Sequence, residues 1–308
     1  MGGSSEASGA LPRYEIVGPR GAPVVVALGG ISAGAHATSA GGDGTPGWWE
    51  EVVGPGRAVD TGRFRVLSFD WLDEPGDGVH DAPTTADQAD ALARVLDAEG
   101  VERARLVIGA SYGGMVALAF GARHGARAEG LVAISAAHES HPFTTGLRAI
   151  QRRIVRLGLE CGRERDGLAL ARALGMTTYR SALEFADRFS PNTPEAGLDG
   201  ITFAAERYLL HQGGKISSHF DARRFLALSL STDLHRVDPR EIRVPTLLVA
   251  ADGDTLVPRE QIEELVRRIG APCLFAHIET RVGHDAFLAE PEKISRILAH
   301  ALARGVVA

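Results

Sequence analysis

The sequence predicts an α/β fold: a mostly parallel, doubly wound sheet covered by helices on both faces and interrupted by a helical insertion. Three observations predict it. Short, almost continuously apolar runs recur along the 308-residue chain, as strands buried on both faces do. Segments with apolar residues three and four apart lie between several of them. One Gly-x-Ser-x-Gly pentapeptide also falls where such a run gives way to such a segment.

In chain order, residues 1–12 begin MGGSSEASGA. They lack the basic and apolar regions of a secretory leader and read as a flexible tail. Strands are expected over 22–28, 64–69, 104–108, 130–135, 244–250 and 273–278. Helices are expected over 85–99, 113–123 and 259–269, where apolar residues keep to one face. Alternation of the two element types argues for a doubly wound sheet. The stretch 141–240 breaks the rhythm: it is Arg-rich, helical in pattern and without a clear apolar strand. It reads as a helical lid between two parts of one core, 13–140 and 241–308.

Composition narrows the function. Apolar residues make up 44% and charged residues 23%, the balance of a globular chain. Lys and Arg number 33 against 39 Asp and Glu, a formal charge of −6. Such a chain has no overall pull toward nucleic acid or anionic membranes. No apolar run reaches the roughly 18 residues of a membrane span. The two cysteines, Cys161 and Cys273, form no Cys-x-x-Cys motif. That argues against a metal or redox site and fits the cytoplasm.

Residues Gly109-Ala110-Ser111-Tyr112-Gly113 form the pentapeptide between strand and helix. A serine on so tight a turn is strained, and its neighbours must be small for the adjoining backbones to pass. In a chain with 37 glycines the pattern also arises by chance, and Gly30-Ile31-Ser32-Ala33-Gly34 is a second match. A glycine-rich loop, not a helix, follows Ser32, so context selects Ser111 as nucleophile. The loop after the early strand then has another use. An oxyanion hole in this architecture takes one N–H from the residue after the nucleophile, here Tyr112, and one from that loop, Gly30 or Ile31.

A Ser, acid, His chain order is expected for an α/β-hydrolase triad. Asp252 and Asp254 lie in the loop after strand 244–250, and His284 in the loop after strand 273–278. Open α/β sheets carry their sites at those strand ends. Of the 11 histidines, His284 alone follows a glycine in such a loop and precedes a helix. His138, His211, His219 and His235 read as local structure, and His277 as a hydrogen-bonded core histidine. Either aspartate could orient the imidazole, and either could be a turn-former.

The chain resembles the homoserine O-acyltransferases of the α/β-hydrolase fold. The likeness rests on Gly47-Trp48-Trp49-Glu50, 54–61, the elbow 109–117 (GASYGGMVA), the lid block 167–189, Tyr208-Leu209, Phe220-Asp221, 254–258 and 283–288. These blocks span about residues 22–298. The resemblance implies Asp254 as the acid. It implies Arg180 as the binder of the homoserine carboxylate, Asp285 as the partner of its amino group, and Tyr208 as a further contact. It implies acyl-CoA as co-substrate with no resident cofactor or metal, a place in methionine biosynthesis, and a homodimer built through the lid helices.

Departures from the family are a short N-terminal part, a trimmed lid, and Tyr112 where relatives carry methionine. The compact form resembles the branch assigned to succinyl rather than acetyl transfer. Arg148, Arg152, Arg153, Arg156, Arg163 and Arg165 are candidates for a succinyl carboxylate or for CoA phosphates. An esterase or thioesterase, or transfer to another hydroxyl such as serine's, is the alternative reading.

Overall fold

A computed structural model of the chain describes residues 10–42, 44–74, 82–197, 200–217 and 220–306. Residues 1–9 of the expected tail, and His219, lie outside the described residues. The first elements are β1 (Tyr14–Val17), β2 (Val24–Leu28), β3 (Val53–Gly54), β4 (Val59–Asp60) and β5 (Arg65–Phe69). Then come α1 (Thr85–Ala98), β6 (Leu106–Ala110), α2 (Tyr112–His124) and β7 (Leu131–Ile134). The lid contributes α3 (Pro142–Glu160), α4 (Glu164–Tyr179), α5 (Ala182–Phe189), the hairpin β8 (Glu195–Gly197) and β9 (Gly200–Thr202), α6 (Ala204–Ser217) and α7 (Ala222–Leu234). The chain returns to the sheet with β10 (Thr246–Ala251), α8 (Arg259–Arg268) and β11 (Cys273–Ile278), followed by α9 (Ala286–Ala289) and α10 (Pro291–Arg304).

Seven strands form the main sheet in the order β1-β5-β2-β6-β7-β10-β11. Only the β1–β5 pair is antiparallel. The other five pairs are parallel. All six expected strands are present with ends shifted by at most two residues. Two features depart from the expectation. Strand β1 is absent from the sequence reading because its four residues are only half-buried at the sheet edge, so the apolar run is missing. The lid holds a short hairpin as well as helices, and its strands are exposed apart from a half-buried Thr202. They carry no apolar signal at all.

Alternating side chains of the strands feed two cores. Val24, Val26 and Leu28 of β2 face α1, α2 and α8, while Val25 and Ala27 face α10 and the segment around Trp49. Fully burying side chains of this size stabilises by about 1.5–3 kcal/mol each. The lid has its own small core around Val155, Leu168, Ala171 and Phe225. Caps follow from sequence. Thr84 and Asp87 make a reciprocal capping box on α1. Asp221, from one of the resemblance blocks, caps α7 through the Arg224 N–H. Helix α2 is different: Ser111 occupies its cap position without a side-chain capping bond, so the hydroxyl stays free.

The turn that carries Ser111 needs its glycines. A Cβ on Gly109 would sit 2.0 Å from the Gly113 carbonyl oxygen, and one on Gly113 would sit 2.4 Å from that of Leu28. Gly113 N–H donates to the Gly29 oxygen at 2.8 Å, and Ser111 N–H to that of Ile134 at 2.9 Å. Ser111 itself has φ 56°, ψ −121°, in a region that costs an L-residue about 1–3 kcal/mol. Replacing Gly109 by Ala is expected to lower unfolding free energy by about 2 kcal/mol. Urea denaturation checks this, and an unchanged midpoint would contradict the close approach.

Candidate active site

Ser111, Asp254 and His284 follow the carboxyl ends of β6, β10 and β11, neighbours or near-neighbours in the sheet. His284 Nε2 lies 2.8 Å from Ser111 Oγ, and its Nδ1 lies 2.8 Å from Asp254 Oδ2. A carboxylate only accepts, so Nδ1–H donates to Asp254. Nε2 then accepts from the Ser111 hydroxyl, and the arrangement lets the imidazole take the serine proton. The other Asp254 oxygen accepts the Leu256 and Val257 N–H groups at 2.9 and 3.0 Å. Those bonds aim Oδ2 at the imidazole. Gly283, at φ +91°, delivers His284, and a Cβ there would meet the Gly253 carbonyl and the Ser181 N–H nitrogen.

His284 is buried between Tyr179 and Phe287, with ring centroids 6.1 and 6.2 Å away. Burial alone acts to lower its pKa. The charge and hydrogen bond of Asp254 outweigh burial and raise it above the ordinary histidine value.

The rival candidates separate on geometry. Asp252 binds His277 Nε2 at 2.6 Å instead of His284. His277 is thus hydrogen-bonded as expected, though half-buried on the edge strand and not in the core. His235 bonds Thr85 and the Ala137 carbonyl, and burial lowers its pKa to about 4. Ser32 is exposed at the cleft and has no imidazole partner among the described contacts.

Gly30, Ile31 and Tyr112 border the cleft beside Ser111. Their N–H groups donate to no backbone acceptor among the described residues. The Gly30 carbonyl is pinned by Trp71 Nε1–H at 3.0 Å and by the Ala33 N–H at 2.9 Å, which holds the loop in place. Such converging donors can receive a developing oxyanion. Tyr112 also ties the elbow to the lid. Its hydroxyl meets Ser231 Oγ at 2.6 Å, and its ring packs edge-on against Trp71.

The cleft has a cavity volume of about 150 Å³. Trp48, Arg148, Arg172, Tyr179 and Asp285 are among its walls. Asp285 is half-buried; desolvation raises its carboxyl pKa against the lowering by Arg180. Arg180 stands behind it, Nε 3.3 Å from the Asp285 carboxylate and Nη1 3.1 Å from Glu184. The sequence-based role of Arg180 as a carboxylate clamp therefore meets a guanidinium already engaged, and not itself on the cleft wall. Arg172 is the cation on that wall, lying over the Tyr179 ring at 4.6 Å. Sequence reasoning missed it, although its seven-residue spacing from Tyr179 was the available signal. Tyr208 packs with Phe185 and Phe189 beneath Arg188. It packs within the lid and is not among the residues that border the cleft. Among the described residues no cluster of His, Cys, Asp or Glu is placed to hold a metal. None of the described helices is long and apolar enough to cross a membrane.

The α/β-hydrolase fold family matches residues 23–291. The chain is 46% identical over 292 residues to a homoserine O-succinyltransferase of Xanthomonas campestris pv. campestris, covering 94% of this chain and 78% of that protein. It is 33% identical over 344 residues to an L-serine/homoserine O-acetyltransferase of Streptomyces lavendulae, covering 96% and 92% of the two. A crystal structure of homoserine O-acetyltransferase from Bacillus anthracis superposes with a TM-score of 0.83 at 19% identity, over 96% of this chain and 92% of that one. At that identity the likeness is one of fold.

A fluorophosphonate that labels activated serines is expected to modify Ser111 and not Ser32. Imidazolium cannot accept the serine proton, so labelling should fall as pH drops through the raised His284 pKa, with a midpoint above about 6.5. Asp254→Asn should slow labelling by roughly 10³–10⁴-fold. Mass-spectrometric kinetics check both points; a midpoint below 6 would contradict the Asp254–His284 coupling.

Proposed function

The chain belongs to the homoserine O-acyltransferase family of the α/β-hydrolase fold, and on that premise we propose that it transfers an acyl group from acyl-CoA to the L-homoserine hydroxyl. The observation that carries this reading is Asp285. It is a half-buried carboxylate bordering the cleft next to His284, backed by Arg180, with Arg172 on the same wall. An esterase has no need of opposite charges beside its nucleophile, whereas an amino-acid acceptor brings both an ammonium and a carboxylate.

The reaction runs in two halves. Ser111 Oγ attacks the thioester carbonyl while His284 Nε2 takes its proton. Asp254 holds the imidazole in the required tautomer and offsets its positive charge. The N–H of Tyr112, with that of Gly30 or Ile31, receives the oxyanion. The C–S bond breaks, and His284 passes the proton to the departing CoA thiolate. In the second half the homoserine γ-hydroxyl gives its proton to His284 and attacks the acyl carbon. The bond to Ser111 Oγ breaks, and His284 returns the proton to that oxygen. Asp285 pairs with the substrate ammonium and Arg172 with its carboxylate, while Arg180 holds Asp285 from behind. Such clamps position the acceptor against competing water.

The donor is succinyl-CoA in this reading, in line with the 46% identical relative, and the product serves methionine biosynthesis. A reducing cytoplasm suits the free Cys161 and Cys273. The protein pairs into a homodimer through its lid: Phe143, Ile150 and Leu157 lie seven residues apart on α3 and are all exposed.

Mixing purified protein with L-homoserine or L-serine and with succinyl-CoA or acetyl-CoA tests the reading. O-succinylhomoserine, with CoA release dependent on homoserine, is expected. The acetyl product would change the donor, and an O-acylserine product the acceptor. CoA release indifferent to either amino acid would leave a hydrolase. Asp285→Asn is expected to raise the KM for homoserine about 10- to 100-fold, with a smaller effect on acylation of Ser111. Light scattering is expected to give a dimer mass, and Ile150→Asp a monomer.

A further inference from the structure

We propose that Arg148 is the specificity-determining residue for the acyl donor, binding a carboxylate at the far end of the transferred chain. The inference rests on the acyltransferase reading above and names the chemistry of its donor: the CoA thioester of a dicarboxylic acid.

Beside Ser111 the cleft opens into a side chamber bordered by Ser135, Ser140, Thr144, Arg148, Thr232 and His284. Its wall is mixed: Met115, Leu256 and Val257 supply apolar surface, and Arg148 with the hydroxyl side chains supplies the polar groups, a pairing that suits a methylene stem ending in a charge. The charge there does not balance. Arg148 Nε and Arg152 Nη1 both lie 2.6 Å from the Asp233 carboxylate, which is buried. Two guanidiniums on one carboxylate leave a unit positive charge in a largely desolvated place.

The other charged and titratable groups do not cancel it. Glu139 borders the chamber but is paired with Arg236, and His141 caps α3. His284 is held by Asp254. Asp285 and Arg172 border the main cleft and not the chamber. A buried unpaired charge is costly, so a site of this kind favours an anionic ligand.

The geometry is also that of a prepared receptor. Asp233 holds Nε, while Nη2 of Arg148 donates to Ser140 Oγ at 3.0 Å and Thr144 Oγ1 at 3.2 Å. Nη1 meets no acceptor among the described residues. Arg152 spends its Nη1 on Ser229 as well as Asp233, so it braces Arg148 from behind. A second donor is available. Ser135 Oγ is buried without a partner, borders the chamber, and sits at φ 49°, a backbone region a serine rarely adopts. A guanidinium N–H and a hydroxyl can then share one carboxylate. The chamber is continuous with the main cleft at Ser111, His284 and Arg148, which border both, whereas Asp285 borders only the main cleft.

The test compares homoserine-dependent CoA release from succinyl-CoA, butyryl-CoA and acetyl-CoA. Butyryl has the same four-carbon chain without the carboxylate. Wild type is expected to favour succinyl over butyryl at least tenfold in kcat/KM. Arg148→Leu should lower kcat/KM for succinyl about 10- to 100-fold and erase that preference. Arg148→Lys, a point charge without the planar fork, should fall between. Ser135→Ala should weaken succinyl transfer a few-fold and leave the butyryl rate alone, which gives a reading even if Arg148→Leu does not fold. The proposal is overturned if wild type shows no preference, if it uses acetyl-CoA alone, or if Arg148→Leu with native thermal stability slows all donors equally. Those outcomes leave the acyltransferase reading standing. Absence of homoserine-dependent release from every donor would sink both.

Discussion

At the turn after β6, three stretches of backbone approach so closely that no side chain fits between them. Gly109 faces the Gly113 carbonyl, and Gly113 faces that of Leu28. Most of the site depends on this contact. It forces Ser111 into its left-handed conformation and starts α2 at once, so the hydroxyl is presented to His284 and not spent on a cap. The same contact, through Gly113 N–H and the Gly29 oxygen, draws the loop after β2 against the elbow. Nucleophile and oxyanion loop are thereby positioned by one packing event, and the strain at Ser111 is met by the buried sheet beneath it.

The base and acid are held from the other side by the lid. Residues 178–181 form a strap over the two loops. The Tyr179 carbonyl accepts the Asp285 N–H at 3.0 Å, and the Ser181 N–H donates to Val282 at 2.7 Å. Ser181 Oγ donates to the Arg281 carbonyl, and Thr255 Oγ1 to the Thr178 carbonyl at 3.3 Å. Trp49 adds a bond from the sheet side, Nε1–H to the Phe287 carbonyl at 3.1 Å. The histidine loop is thus clasped between the core and the lid, which keeps a buried imidazole in register with a carboxylate 30 residues away.

Much of this was legible in the sequence, and the reasons are local. Central strands announce themselves because both faces are apolar; β1 and the β8–β9 hairpin do not, because they bury too little. Ser111 and His284 were legible because tight turns demand glycine at fixed offsets. Residue types alone left Asp252 and Asp254 level, since both sit in one turn-rich loop, and the family likeness was needed to prefer Asp254. The fold parts them through the Leu256 and Val257 N–H groups, which only a three-dimensional turn brings to Asp254. The roles of the arginines were least legible. Whether Arg180 faces the cleft or backs Asp285 depends on the direction of a long side chain. The partner of Arg148 lies 85 residues down the chain, beyond any spacing rule.

The strap also sorts the lid into two kinds of sequence. Between Thr178 and Ser181 every position is in register with the loops that carry the acid and the base, so one inserted residue would move His284. The β8–β9 hairpin is exposed and joins no strand of the main sheet. Evolution is free to lengthen, shorten or exchange it at little cost to the chemistry. A protein engineer therefore has a place to graft a segment away from the chemistry.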